Sequence, residues 1–194
     1  MVNSTYIQNR FAYTRPQAVA WADSYTLSGG LFIPDGNTEG EDFLILSDHN
    51  RSEINFTKQR IENKQRMISG TMRSYHIADK TNVSWSWEML PSRAFSGDPG
   101  FDSSGLQTYS AEEYTADGGA GGVDLVKWYE SHQGSFFMFL AYDRYDKFDV
   151  APYSHLQQYN EVLEVYFSDF DYSVVKRGFT THDFWNISVS VEEV

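Results

Sequence analysis

The sequence predicts a mainly β, α+β domain, a barrel or sandwich with one packed helix and long loop extensions. Three observations predict it. Trp185, Ile187, Val189 and Val191 alternate with Asn186, Ser188, Ser190 and Glu192, a period of two that gives an extended strand one apolar and one polar face. Val83, Trp85, Trp87 and Met89 alternate in the same way with Ser84, Ser86 and Glu88. Between these strands lies a single helical pattern, with Leu125, Trp128 and Tyr129 at i, i+3 and i+4, so the order is strands, one helix, strands.

Residues 1–40 contain Pro16, Pro34 and a Gly/Asp/Asn-rich patch from Ser28 to Gly40, and read as extended arm and loop ahead of a domain over residues 41–194. Phe43–Leu46 is a short apolar run that ends in the turn-like Ser47–Arg51. Residues 53–61 and 67–76 bracket Glu62–Gln65, which reads as a hairpin tip. A strand over 81–90 stops at Pro91. From Ser92 to Gly122 the composition turns to Gly, Ser, Asp and Pro, and a loop this long in a compact domain serves as a functional or interaction element. Asp124 can cap the helix that follows, and Gly134 can stop it. Phe136–Tyr142 is apolar on both faces, as expected of a strand covered on both sides. Asp143–Tyr159 is polar loop, and residues 161–176 form a long strand with Leu163, Val165 and Phe167 opposed to Glu164, Tyr166 and Ser168.

Composition excludes several function classes. The 194 residues are 41% hydrophobic and 16% aromatic, enough for a sizeable core. The absence of cysteine removes disulfide scaffolds, thiol enzymes and cysteine zinc sites. A net charge of −12 opposes attraction to the nucleic-acid backbone, whose binding requires cationic neutralisation of phosphates. The opening Met1–Tyr6 lacks the charged and apolar regions of a leader, and no apolar run nears the length of a membrane span. The expectation is a protein neither exported nor embedded in a membrane.

Catalytic patterns are missing. There is no G-x-S-x-G, H-E-x-x-H, GxxxxGK[ST] or GxGxxG. Gly118–Gly122 lacks the lysine and hydroxyl that would hold a nucleotide, and reads as a flexible loop. His49, His76, His132, His155 and His182 share no metal-ligand spacing. Asp143, Asp146 and Asp149 stand three apart, but Arg144 and Lys147 intervene and no glycine makes a calcium-loop turn. Glu192 and Glu193 are strand neighbours on opposite faces, unsuited to paired acid–base work. Trp85 and Trp87 could stack on sugars, yet at period two with Val83 and Met89 they read as a core stripe. No catalytic, cofactor-binding or metal-ligating residue is assigned, and no enzyme is expected.

The block Gln65–Lys80 running into Val83–Ser92 resembles structural proteins of tailed bacteriophages, and Phe184–Val194 is similar to the closing strand of phage tail proteins. The strands–helix–strands order resembles the tail-tube (major tail protein) fold over residues 43–92 and 123–194. That resemblance implies two small antiparallel sheets forming a barrel flanked by a helix. It also implies subunits stacked as hexameric rings, inner strands joined into a β-lined channel, and location in the virion tail after synthesis in the host cytoplasm. The implied partners are other copies of the chain, the tape-measure, tail-tip and tail-terminator proteins, and DNA that passes through the lumen without specific binding; no membrane and no cofactor are implied.

On this reading Ser84, Ser86, Glu88, Glu164, Ser168, Ser188, Ser190 and Glu192 are candidate lumen residues, small or acidic groups that repel phosphates and let DNA slide. The loop 92–122 and the N-terminal arm would order on a neighbouring ring. Two alternatives stay open. One is a tail-tip, baseplate or tail-completion component of the same fold. The other is a non-enzymatic β-sandwich carbohydrate-binding module using Tyr109, Tyr114, Tyr142 and Tyr145.

Overall fold

The computed structural model describes residues 19–28, 31–35, 40–94, 96, 114–141, 160–177 and 182–194. In chain order these form β1 (Val19–Ala22), β2 (Tyr25–Ser28), β3 (Leu31–Pro34), β4 (Phe43–Ile45), β5 (Asn55–Arg66) and β6 (Met72–Pro91). The helix α1 (Gly122–Ser131) and β7 (Phe136–Ala141), β8 (Asn160–Arg177) and β9 (Asp183–Glu193) follow. The protein is mainly β. Seven strands make one antiparallel sheet in the order β4-β1-β7-β8-β9-β6-β5, and β2 and β3 pair as a separate hairpin. The expected pair of small sheets is therefore corrected to one seven-stranded sheet and a hairpin among the described residues.

This sheet is strongly curled. Six inter-strand steps of about 4.8 Å would put β4 and β5 roughly 29 Å apart in a flat sheet. Ile45 pairs with Ala20 at one margin, and Arg51 already bridges Trp87 beside β5 at the other. Six residues reach at most about 20–22 Å fully extended, and these include a turn closed by the Arg51 N–H to the Asp48 carbonyl at 3.3 Å. Only a sheet rolled on itself fits, and the roll encloses one core.

That core takes a residue from almost every strand: Trp21, Leu44, Trp85, Met138, Val165 and Val189 are buried in it, with Leu125 and Trp128 of α1. The period-two alternation of β6 and β9 thus points Val83, Trp85 and Trp87, and Ile187, Val189 and Val191, into the roll. Trp185 is half-buried at the margin of the same core. A second, smaller cluster of Ala20, Ala22, Phe43, Ile45 and Phe139 lies on the other face of β4, β1 and β7. Burial on both faces is why β7 is apolar throughout. Among the described residues no helix is long and apolar enough to cross a membrane.

Expectations for the arm, the hairpin tip and the helix ends are corrected. Within the presumed arm, residues 19–34 form three strands, and β1 is wholly buried between β4 and β7; residues 1–18 lie outside the described residues. The hairpin tip falls at Met67–Thr71 rather than Glu62–Gln65, because Gly70, at φ +83°, supplies the left-handed position. The Gly70 N–H donates to the Met67 carbonyl and the Met67 N–H to that of Thr71, both at 2.8 Å, the geometry of a three-residue loop with a glycine bulge. Asp124 caps α1 from its third position, accepting the Gly121 N–H at 2.9 Å, while Gly121 itself is the N-cap and His132 the C-cap.

The glycine-rich run is packed, not loose. A Cβ on Gly119 or Gly121 would stand 2.6 Å from the backbone of Ser47 or Arg93, so only glycine permits the approach. The contact lets the Ala120 N–H donate to the Ile45 carbonyl at 2.8 Å. Residues 114–122 therefore cover their own subunit's core; residues 97–113 of the expected interaction loop lie outside the described residues.

Candidate functional site

The sheet divides into two parts by what covers it. The β4-β1-β7 part is apolar on both sides. The β8-β9-β6-β5 part has the core on one side only, and its other face is polar.

Register fixes that polar face. One row across it runs Asn55, Ser84, Ser190, Asp169, a second Thr57, Asn82, Glu192, Tyr166, and a third Ser86, Ser188, Asp171. Ser52 extends the third row: its Oγ accepts the Ser86 N–H at 2.9 Å, and its own N–H donates to the Ser86 carbonyl at 2.8 Å. Two residues along a strand are about 6.7 Å, so the rows form a continuous hydroxyl and carboxylate surface.

The candidate lumen residues occupy this structure as follows. Ser84, Ser86, Ser188, Ser190 and Glu192 share the rows just described. Glu164, on β8, is exposed and accepts the Ser135 hydroxyl at 2.7 Å. Glu88 stands exposed in an irregularity of β6 between Trp87 and Leu90, where Met89 adopts φ +54°. Ser168 is the extra residue of a β-bulge between Phe167 and Asp169 and has no partner across the β8–β9 ladder.

The bulge shifts the phase of β8 by one residue. Beyond it Asp169 and Asp171 lie opposite Ser190 and Ser188, two polar-face residues that strict alternation did not select. The signal was present: Phe167 and Phe170, both packed against the core, are three residues apart rather than two.

The electrostatics of this face are mainly acidic. Glu88, Glu164, Asp169, Asp171 and Glu192 follow it, and the register also places Lys80, opposite Gln59, at its margin. A shallow depression in it lies over Ser86, Glu88, Asp171, Asn186 and Ser188. Its lining combines hydroxyls, an amide and carboxylates without a nucleophile–base pair.

The sheet also has two open margins. β5 ends the strand order, so its outer edge is unpaired among the described residues. β7 pairs with β8 only over Asn160–Val165, leaving the β8 edge beyond Val165 unpaired as well. Twelve residues lie on each free stretch, Asn55–Arg66 and Tyr166–Arg177.

Other candidates resolve into structural contacts. Trp85 and Trp87 are buried, and the Trp87 indole N–H donates to the Ser47 carbonyl at 2.8 Å. Asp117, which the sequence did not single out, accepts from Ser47 Oγ at 2.7 Å and from the Asp48 and Gly119 N–H groups at 3.0 Å, tying the glycine run to the β4–β5 crossing. Arg51 is buried in that crossing 2.7 Å from Asp48; desolvation lowers its pKa from the ordinary value, against the pull of Asp48 and Asp117.

His49 Nδ1 accepts the Ala116 N–H at 3.0 Å, His132 stacks on Trp128, and His182 stacks on Tyr114. Tyr114 is thus engaged within the protein. Tyr109, Tyr142, Tyr145, His155 and the Asp143, Asp146, Asp149 trio lie outside the described residues. Among the described residues no group of three or more His, Asp or Glu side chains could hold a metal ion.

No protein-family model and no curated protein matches the chain. Among solved structures it is similar to a chain from the tail of an empty GTA particle of C6 symmetry, with 6% sequence identity over 91% of this chain and 90% of that one, at a TM-score of 0.43. A TM-score of that size does not establish a shared fold.

Proposed function

We propose that the chain is a structural subunit of a phage-like tail tube, joining other copies edge to edge in rings that stack around a channel. The observation that carries this reading is the β8-β9-β6-β5 sheet, which has a polar face free of cations in β6 from Asn82 onward, β8 to Val175 and β9, and, among the described residues, an unpaired edge on each side. An open edge is a liability in a monomer and an interface in an assembly. Joining β5 of one copy to β8 of the next is heterologous, and repeated rotation closes such contacts into a ring. Six-fold closure is the value the sequence resemblance implies.

In such a ring the serine and carboxylate rows face the channel. Ser84, Ser86, Ser188 and Ser190 give a smooth hydroxylated wall, while Glu88, Glu164 and Glu192, with Asp169 and Asp171, keep phosphates off it. Ser168 would stand at the bulge, beside the acidic rows. The role is structural, with no chemical step. The N-terminal residues and the loop 97–113 would then serve contacts between rings.

Negative-stain electron microscopy of the purified, concentrated protein tests the proposal. Tubes or stacked rings with a central channel are the expected result. Particles that associate without a channel would contradict it.

A further inference from the structure

The β5–β6 hairpin carries a second surface. β9 pairs with β6 only from Asn82 onward, so the ten residues Met72–Thr81 pair with β5 alone. At about 3.3 Å per residue this arm reaches roughly 33 Å past the sheet's shared core. Among the described residues it is little covered beyond its base: Ile68 at the tip is fully exposed, and Ile61, Met72, Tyr75 and Ile77 are 40%, 59%, 55% and 68% exposed.

Charge separates the arm from the body. Residues 55–80 hold six lysines and arginines against Glu62 and Asp79, a net of +4. The whole chain is −12, so everything outside the hairpin sums to −16. Along β5 the charges fall on one side. Asn55, Thr57, Gln59, Ile61, Asn63 and Gln65 follow the face of Ser84, and the intervening Lys58, Arg60, Glu62, Lys64 and Arg66 follow the face of Val83.

In the body that second face is the core side; in the arm no core lies beneath it among the described residues. Its carboxylates are already engaged: Arg60 Nε donates to Asp79 at 2.9 Å, and Lys64 pairs with Glu62 at 2.5 Å. Lys58 and Arg66 have no acidic partner among the described residues.

We infer that this arm docks on the acidic surface of a second copy of the chain through positive charge carried on both of its faces: Lys58, Arg60, Lys64 and Arg66 against Glu62 and Asp79 on one, Arg73 and Lys80 on the other. Charge complementarity selects the partner, since the body of the same chain is strongly anionic. Exposed apolar side chains on both faces, Ile61 and Tyr75 on one and Met72 on the other, favour a protein surface over a phosphate backbone. The inference adds a cross-subunit contact to the tube reading and rests on self-association, not on the existence of a channel.

The test is sedimentation velocity of the full chain across concentration and salt, comparing wild type with Lys64→Glu/Arg66→Glu. Both residues are exposed and far from the core, and unchanged circular dichroism confirms the fold. The expected result is wild-type self-association that weakens as salt rises and is lowered about tenfold or more by the double charge reversal. Equal association of the variant would overturn the arm while leaving tubes, if seen, to the edge-pairing account. Arm-dependent assemblies without a channel would uphold the arm and overturn the tube.

A wild type that stays monomeric at every concentration and salt would overturn the arm. So would tight binding of a short DNA duplex at low salt that the double variant abolishes, which would make the hairpin a nucleic-acid site.

Discussion

Trp21 of β1 and Trp85 of β6 meet with ring centroids 6.2 Å apart and planes tilted by 48°. Four strand positions separate β1 from β6 in the sheet order, about 19 Å if the sheet were flat. Their contact spans the interior of the rolled sheet, and Trp21 also packs on Trp128 of α1 at 6.2 Å and on Phe167 of β8 at 5.3 Å. The curl that brings these rings together leaves the polar face of β8-β9-β6-β5 on the outside of the roll. Core packing and the proposed channel wall are two sides of one curvature.

Replacing Trp21 or Trp85 by alanine should each cost about 3–5 kcal/mol. A double-mutant cycle in urea should return a coupling of about 0.5 kcal/mol or more. Strictly additive losses would mean that the two rings do not touch and the sheet is flatter than described.

Of the two tryptophans on β6, only Trp87 has a hydrogen-bond acceptor for its indole N–H; Trp85 Nε1 is buried without one among the described residues. Trp87→Phe should therefore destabilise by about 1 kcal/mol more than Trp85→Phe. Equal melting curves for the two variants would remove the Ser47 carbonyl from the stability of the β4–β5 crossing.

Gly121→Ala forces a Cβ to 2.6 Å from the Arg93 backbone, whereas Gly134→Ala meets nothing within 4 Å. The first should lose about 1–3 kcal/mol or more and the second should stay within about 0.5 kcal/mol of wild type. A neutral Gly121→Ala would restore the view of residues 118–122 as a loose loop.

Asp79 is held below its ordinary pKa of 3.8, first by the hydrogen bond from Arg60 and then by that from His76. A depressed carboxylate stabilises the fold above its unfolded pKa, and that contribution is lost as pH falls through the folded value. The arm's ion pair should thus persist at neutral pH and break only below the ordinary carboxylate range. An NMR titration of the Asp79 carboxyl should give a midpoint under 3.8 that rises in Arg60→Gln. A normal midpoint in wild type would show that the pair does not hold in solution.

What the sequence revealed follows burial. β6 from Val83 and β9 were legible because one face is core and the other wet, so Trp85 and Trp87, like Val189 and Val191, sit at period two. The β5–β6 tip was misplaced because both arm faces are exposed there, leaving no apolar period to set the register, and Ser69–Gly70 was the only mark of the turn. β1 was missed because four buried residues, Val19–Ala22, are too short a run to show alternation. Asp169 and Asp171 were missed because a one-residue bulge reverses the faces, and Asp117 because its partners are seventy residues or so away in sequence.

Edge pairing between copies is the central claim, and the absence of cysteine makes cross-linking a direct test. Gln59→Cys on the β5 edge, combined in turn with Asp169→Cys, Asp171→Cys or Ser173→Cys on the β8 edge, places thiols on the same face of the joined sheet. Adjacent strands bring such pairs within disulfide reach. One of these combinations should oxidise to a ladder of covalent oligomers that stops at the ring, while Gln59→Cys alone stays unlinked. Dimers only, or no cross-link in any register under conditions where the protein assembles, would contradict the joining of β5 to β8.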